Sequence, residues 1–400
     1  MSELSYLEKL MDGVEVEWKA VGDIAGYSTT KVDADKLDAT SFVGVDNLLA
    51  DKGGRIDATY QPNTARLTAY EPGDILLGNI RPYLKKVWMA ENNGGCSGDV
   101  LAIRILADCK KIISPEYLYY ALSSDSFFSY SMQHAKGAKM PRGSKDAILN
   151  YQIPIPCPSA PEKSLAIQSE IVRILDKFTA LTAELTAELN MRKKQYNYYR
   201  DQLFSFNTED VPHLPMGQKD IGEFIRGGTF QKKDFIDAGV GCIHYGQIYT
   251  YYGTYTEKTK TYISTALAKK CKKAQKGDLI IATTSENDED VCKAVAWLGS
   301  KDIAVSSDAC IYKHNLNPKY VSYFFQTEQF QNQKRQYITG AKVRRVNADN
   351  LSKILIPVPS MEIQERIVSI LDKFDTLTNS ITEGLPREIE LRQKQYEYYR

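Results

Sequence analysis

Apolar positions follow two alternating regimes along the chain. Short runs, Ile75 to Leu77, Val100 to Ile105 and Leu279 to Ala282, are bounded by turns such as Glu71-Pro72-Gly73 and predict strands. Short helical patches such as Pro115 to Tyr120 lie among them. Each β-rich stretch leaves through an Ile-Pro-x-Pro run, Ile153–Pro156 and Ile356–Pro359, where proline ends strand pairing and restrains its predecessor. The period then changes. From near Pro161-Glu162, Ile167, Ile171, Ile174, Phe178, Leu181 and Leu185 alternate spacings of four and three, which is a heptad seam. From near Met361-Glu362, Ile363, Ile367, Ile370, Phe374, Leu377 and Ile381 repeat it. Helices of about 40 residues, roughly 60 Å, are predicted. Two like stripes, each poorly covered alone, are expected to pair as an antiparallel coiled coil within the chain; the alternative is that each helix packs on its own domain.

The two regimes recur because the chain is two copies of one unit, with a period of roughly 200 residues. Ile167-Gln168 through Ile174-Leu175-Asp176-Lys177-Phe178 returns as Ile363-Gln364 through Ile370-Leu371-Asp372-Lys373-Phe374. Arg192, Lys194-Gln195-Tyr196 and Tyr198-Tyr199-Arg200 return as Arg392, Lys394-Gln395-Tyr396 and Tyr398-Tyr399-Arg400. Gly137-Ala138-Lys139 and Gly340-Ala341-Lys342 precede the two Ile-Pro-x-Pro runs at equal spacing, and Gly73-Asp74 matches Gly277-Asp278. Between landmarks the halves differ, so they share a frame and carry different surfaces. The expected architecture is α+β: two mixed α/β domains at 1–155 and 207–358, separated by long antiparallel helices at 156–206 and 359–400 related by a pseudo-twofold repeat. Two irregularities stand out. Thr182-Ala183-Glu184-Leu185 is followed at once by Thr186-Ala187-Glu188-Leu189, and Gly384-Leu385-Pro386 should interrupt the second helix.

Composition narrows the class without naming a function. At 400 residues, 43% hydrophobic and 25% charged, the chain exceeds one comfortable core. No apolar run reaches the roughly 18–20 residues that span a bilayer. The first residues lack the basic and apolar regions of a secretory signal, and the seven cysteines form no Cys-x-x-Cys pair, so reduced thiols in a cytoplasm are expected. The net charge of +1 argues against a general polyanion binder. Residues 1–150 carry about three more acids than bases and 207–355 about five more bases than acids, so any basic surface on the first half must be local.

The Ile-Gln-x-x-Ile-Val-x-Ile-Leu-Asp-Lys-Phe segments, the Thr-Ala-Glu-Leu repeats and the Arg-x-Lys-Gln-Tyr-x-Tyr-Tyr-Arg segments resemble the helical regions of type I restriction–modification specificity subunits, closest to the IC class. The resemblance is most specific over 153–206 and 356–400. It implies a non-catalytic subunit whose two variable segments are target-recognition domains, each reading one half of a split DNA site. The helices would be the ruler between half-sites and the dock for two methyltransferase subunits, with two motor-nuclease subunits completing the complex. S-adenosylmethionine, ATP and Mg2+ would then belong to the partners, with no cofactor in this chain and no membrane contact. Residues 1–17 resemble the piece that completes the repeat circularly. The first copy continues as Asp201 to Phe206 where the second stops at Arg400, so that circular arrangement is expected to be incomplete. Thr182, Leu185, Thr186 and Leu189 mark the spacer-length repeat, in which one added unit lengthens a continuous helix by about 6 Å.

Motifs for chemistry are missing from the residues themselves. The chain has neither a methyl-donor glycine motif, nor an Asn-Pro-Pro-aromatic motif, nor a Gly-x-x-x-x-Gly-Lys phosphate loop. Glu17-Trp18-Lys19 with Asp12 distantly suggests a nuclease pair, but such tripeptides are common by chance, and His134, His213, His244 and His314 have no partner at metal-ligand spacing. DNA contacts are expected from loop cations. In the first domain these are Arg81, Lys85 and Lys86, then Lys139, Arg142 and Lys145; in the second they are Lys232 and Lys233, then Lys342, Arg344 and Arg345. The bland reading of each is a solvated turn. Tyr245, Tyr249, Tyr251, Tyr252 and Tyr255 are expected to pack within strands, with stacking on DNA as the alternative. Lys269, Lys270, Lys272 and Lys273 are expected on a solvated helix face. The Arg192 to Arg200 segment and its copy suit helix packing or partner docking. Two rivals remain: an enzyme that itself acts on DNA, and a coiled-coil scaffold that binds only protein.

Overall fold

The computed structural model describes residues 11–380 and 382–399, and its packing divides the chain into two compact units. Unit 1 comprises Met1–Leu185 with Ile389–Arg400, and unit 2 comprises Thr186–Glu388. The helical segments are therefore not blocks of their own, as the boundaries 156–206 and 359–400 had them: each is divided between the units.

In unit 1, β1 (Val16–Ala20) and a one-turn helix α1 (Val21–Ile24) lead to β2 (Ala25–Tyr27), β3 (Lys31–Asp33), β4 (Phe42–Val43), β5 (Arg66–Tyr70), β6 (Ile75–Gly78), β7 (Val87–Met89), β8 (Gly94–Cys96) and β9 (Val100–Ile105). Helices α2 (Pro115–Leu122), α3 (Asp125–Gln133) and α4 (Lys145–Asn150) precede β10 (Gln152–Pro156), and the long α5 (Pro161–Leu203) follows. One sheet has the order β2-β9-β6-β7 and a second β3-β5-β8-β4, while β1 pairs antiparallel with β10. The unbroken apolar runs are explained by what lies on their two faces. Ile75 and Leu77 enter one core with Leu101, Ile103 and Ile105, whereas Leu76 enters another with Val100 and Ala102. A strand buried on both faces loses its polar alternation.

Unit 2 repeats this plan. Its strands are β11 (His213–Pro215), β12 (Gly222–Arg226), β13 (Val240–Ile243), β14 (Tyr255–Thr256), β15 (Thr261–Ile263), β16 (Lys273–Ala274), β17 (Leu279–Ala282), β18 (Thr284–Ser285), β19 (Ala294–Trp297), β20 (Ile303–Val305), β21 (Ala309–His314), β22 (Arg344–Arg345) and β23 (Leu355–Pro357). The helices are α6 (Tyr245–Thr250), α7 (Thr265–Ala268), α8 (Pro318–Phe324), α9 (Glu328–Arg335), α10 (Ala348–Leu351), α11 (Met361–Asn379) and α12 (Gly384–Tyr399), the last continuing into unit 1 from Ile389. The order β12-β21-β17-β19 matches β2-β9-β6-β7, and the parallel pair β13–β20 matches β4–β8. Leu279 and Ile281 face one core and Ile280 and Ala282 the other.

The repeated helix motif docks each helix on its own unit. The buried Gln168 amide donates to the Ile112 carbonyl at 2.7 Å and accepts from the Ser114 N–H at 3.0 Å, at the N-cap of α2. Gln364 likewise accepts from Asn317 N–H, the N-cap of α8, at 2.9 Å, but donates to the Pro359 carbonyl just before its own helix at 2.9 Å. Tyr117 and Tyr320 donate to the carbonyls of Pro154 and Pro357, at 2.8 and 2.9 Å. One turn on, Tyr120 and Tyr323 donate to Asp176 and Asp372, at 2.5 and 2.7 Å. Ile167 and Ile367 are buried, but so are Gln168, Leu175, Gln364, Val368 and Leu371, which the heptad pattern leaves out. Ile363, placed on the seam by its spacing, is 41% exposed, because the face of α11 turned toward its own domain carries Gln364, Ile367, Val368 and Leu371 instead. Ile171, Ile174, Phe178, Leu181, Leu185, Ile370, Phe374 and Leu377 are half-buried, and Ile381 lies outside the described residues. Helix-on-helix packing is seen in unit 2, where Tyr199 stacks on Phe374 at 5.8 Å and Tyr196 shares a core with Ile367 and Leu371. In unit 1 Tyr396, the repeat partner of Tyr196, meets Tyr120 edge-on at 6.4 Å.

The interruption read from Gly384-Leu385-Pro386 is present: α11 stops at Asn379 and α12 starts at Gly384. Gly384 has φ +79°, and a Cβ there would lie 2.4 Å from the Thr376 carbonyl oxygen, so only glycine suits the turn. Among the described residues no helix is long and apolar enough to cross a membrane.

Candidate nucleic-acid interface

Two loops meet at one edge of each unit, and the backbone fixes how. In unit 1 the loop 136–142 is closed by a reciprocal pair of hydrogen bonds between Lys136 and Arg142, at 2.9 and 2.8 Å. It is fastened to the loop after β6, with Arg81 N–H donating to the Pro141 carbonyl at 2.7 Å and Gly143 N–H to that of Asn79 at 3.0 Å. In unit 2 Thr339 and Arg345 close the equivalent loop at 2.9 Å in both directions, and β22 pairs with β18. Gly137 and Gly340 have φ +103° and +89°, and a Cβ on Gly340 would lie 2.2 Å from the Val343 carbonyl oxygen. The recurring glycine is thus a turn requirement. The lysine two residues later, Lys139 or Lys342, is left exposed at the tip beside the exposed Met140 or Val343.

A third segment completes the edge. Ser97-Gly98-Asp99 and Ser306-Ser307-Asp308 follow β8 and β20, and each turns back through an N–H to the serine carbonyl, Val100 to Ser97 at 3.0 Å and Ala309 to Ser306 at 3.1 Å. The acid lies beside the loop arginine in both units. Arg142 Nη1 is 2.6 Å from Asp99 Oδ1, and Arg345 Nη2 is 3.9 Å from Asp308 Oδ1. Unit 2 adds Arg344, whose Nε is 2.8 Å from Asp288 Oδ1 and whose Nη1 donates to the Gly340 carbonyl. Arg226, Thr283, Ser307, Asp308, Arg345 and Asn347 line an open cleft there. A Ser-x-Asp repeat preceding each long strand was present in the sequence and is the signal that locates this segment.

Other residues read as loop cations are placed differently. Arg81 is exposed, with left-handed backbone at φ +52° before Pro82. Lys85 is taken up by an ion pair with Asp125 at 2.8 Å, an acid it shares with Lys52, and the Lys86 amine donates to the Val45 carbonyl at 2.7 Å. Both therefore hold their own unit together. Lys145 opens α4 with its amine 5.7 Å from the Tyr27 ring. Lys232 and Lys233 are exposed on a single turn. Burial, with a lesser contribution from the charge of Lys232, lowers the pKa of His244, whose ring accepts from Gly246 N–H at 3.2 Å.

The tyrosine segment is helical rather than extended: Tyr245–Thr250 forms α6, started by the His244 cap and by Gln247 accepting from the His244 N–H. Tyr249 donates to the Thr284 carbonyl at 2.8 Å, Tyr252 is buried, and the more exposed Tyr251 and Tyr255 have Lys260 and Lys319 over their rings. The lysine run is exposed, but only α7 before it is helical and Lys273 begins β16. Glu17 and Lys19 form an ion pair on β1 at 3.2 Å. Among the described residues no group of three or more acids, histidines or cysteines is gathered as a metal site.

The family model for the type I restriction modification DNA specificity domain matches residues 72–192 and 215–391. The type I restriction enzyme EcoR124I/EcoR124II specificity subunit of Escherichia coli is 39% identical over 412 residues, spanning 100% of this chain and 96% of that protein. The putative type I restriction enzyme specificity subunit S.HindORF215P of Haemophilus influenzae is 31% identical, spanning 99% of this chain and 97% of its own. Among solved structures, a chain from a study of complex assembly and conformational transition in the type I R-M system superposes with a TM-score of 0.64 at 16% identity, covering 96% of each chain. Matched by the family model in both units and along its whole length by such relatives, the chain belongs to the type I restriction–modification DNA specificity family.

Proposed function

We propose that the chain is the non-catalytic DNA-reading subunit of a type I restriction–modification complex, of the IC class, and that unit 1 and unit 2 each read one half of an asymmetric bipartite target. The observation that carries this reading is the recurrence, in two units with different surfaces, of one loop assembly: a glycine-turned loop with an exposed lysine and an arginine, fastened beside a Ser-x-Asp turn. Lys139, Arg142, Arg81 and Lys145 serve the first half-site, and Lys342, Arg344, Arg345, Lys232 and Lys233 the second. Arginine can read guanine edges bidentately, and lysine suits phosphate. Two different sets imply two different half-sites.

The helices set the spacing of the half-sites and receive two methyltransferase subunits, which modify adenine at N6, and two motor-nuclease subunits join these. S-adenosylmethionine, ATP and Mg2+ act in those partners, in the cytoplasm, and the exposed Met191, Tyr198, Leu391 and Tyr398 suit partner docking. The test replaces Lys139 and Arg142 by alanine in one variant and Lys342 and Arg345 in another, each bound to its cognate methyltransferase. Each variant is expected to lose selectivity in one half-site and keep it in the other. Loss of both halves together, or of neither, would contradict the assignment.

A further inference from the structure

The paired arginine and aspartate at the loop edge carry a second conclusion, which rests on the functional reading above. Arg142 and Arg345 occupy the same place in the two units, and Asp99 and Asp308 stand at the same place in the two Ser-x-Asp turns. These pairs are exposed on both sides, with side chains 55% and 38% open in unit 1 and 60% and 41% open in unit 2. Ion pairs so exposed add next to nothing to folding. Stability therefore does not account for their recurrence in halves that otherwise diverge. An acid beside a cation also weakens attraction to phosphate, the reverse of what a plain backbone clamp needs.

What the pair does supply is direction. A guanidinium has five N–H donors in one plane. Among the described residues Asp99 is the one hydrogen-bond partner of the Arg142 side chain and takes Nη1, which leaves the Nε–Nη2 edge open. Two parallel donors on a fixed edge match the O6 and N7 acceptors of guanine in the major groove. We propose that Asp99 is a specificity-determining positioning residue that aims Arg142 at one guanine of the half-site read by unit 1; in unit 2 the corresponding contact is longer, 3.9 Å, and falls on Arg345 Nη2.

The test uses the full chain bound to its cognate methyltransferase, on the duplex that the wild-type complex selects from a random library and on single base-pair variants of it. Asp99→Asn keeps shape and removes charge. It is expected to cut discrimination at one G·C pair of one half-site about tenfold, leaving the other positions unchanged. Arg142→Lys, which keeps charge and removes the fork, is expected to lose discrimination at the same pair. An unchanged base profile would overturn the inference, whether affinity stays constant or rises uniformly with a steeper salt dependence, as charge screening alone predicts. So would effects of Asp99→Asn and Arg142→Lys at different positions. If the wild-type complex selects no bipartite site, the functional reading itself fails; if it selects one and these profiles stay flat, only the positioning role does.

Discussion

The two units hold their helices in the same way and present different edges. The glutamine, tyrosine and aspartate that seat α5 on unit 1 are matched residue for residue on unit 2, by Gln364 for Gln168, Tyr320 for Tyr117, Tyr323 for Tyr120 and Asp372 for Asp176. At the loop edge the backbone plan, one lysine, one arginine and one aspartate are shared, while the residues around them differ, with Arg344 in unit 2 where unit 1 has Pro141. Unit 1 has one restrained arginine, and unit 2 has Arg345 with Arg344 tied to Asp288 and to the Gly340 carbonyl. A frame that repeats and a surface that varies is what a two-part reader requires. Buried polar groups fix the frame, since leaving one unpaired is costly, whereas exposed loop residues change at little expense.

That contrast makes the frame the place where substitutions cost most. Gln168→Ala and Gln364→Ala each leave buried backbone groups unpaired at a helix cap and should each destabilise their unit by about 2–4 kcal/mol, to a similar degree, in denaturant unfolding. Markedly unequal losses would break the equivalence of the two seats. A smaller effect separates the units by pH. Burial of His314 in unit 2 lowers its pKa from 6.5 to about 4, against the opposing effect of the Leu316 backbone. The unfolded chain then binds more protons than the folded one between these values. The stabilisation is whole above pH 6.5 and is lost as pH falls toward 4, by about 3 kcal/mol. Thermal melting of wild type against His314→Phe over this range checks it: the variant should show the shallower loss, and parallel curves would remove His314 as the cause.

Much of the frame was legible in the sequence because its signals are local. Ile75 to Leu77 and Leu279 to Ala282 appear as strands, Pro161 and Met361 open the helices, and Gly384 breaks the second. The heptad line failed at Ile363 because a period shows which residues share a stripe but not what covers it. The buried face includes two polar glutamines that an apolar pattern passes over. Lys85 looked available because its partner, Asp125, lies 40 positions away, beyond any local rule. The helix at Tyr245 had a local signal after all, in the reciprocal capping of His244 and Gln247. The Gly-Ala-Lys loops were found from their repetition, and the Ser-x-Asp turns could have been found in the same way.

Lesser structural effects are expected elsewhere. Tyr120→Phe and Tyr323→Phe each remove one hydrogen bond to a carboxylate and should each cost about 1–2 kcal/mol in unfolding. Asp99→Asn should change stability by less than about 0.5 kcal/mol, since its pair is exposed; a larger loss would make Asp99 part of the frame rather than of the reading edge. A third Thr-Ala-Glu-Leu unit after Leu189 should leave both half-sites intact and change only the number of unread base pairs between them. An unchanged spacing would contradict the ruler.

The most direct measurement is selection from a randomised duplex library by the chain bound to its cognate methyltransferase, at moderate salt so that phosphate contacts do not dominate. Two short, different motifs at one fixed spacing are predicted. A single contiguous motif, or none, would contradict split-site reading and leave the duplicated frame to serve as a protein scaffold.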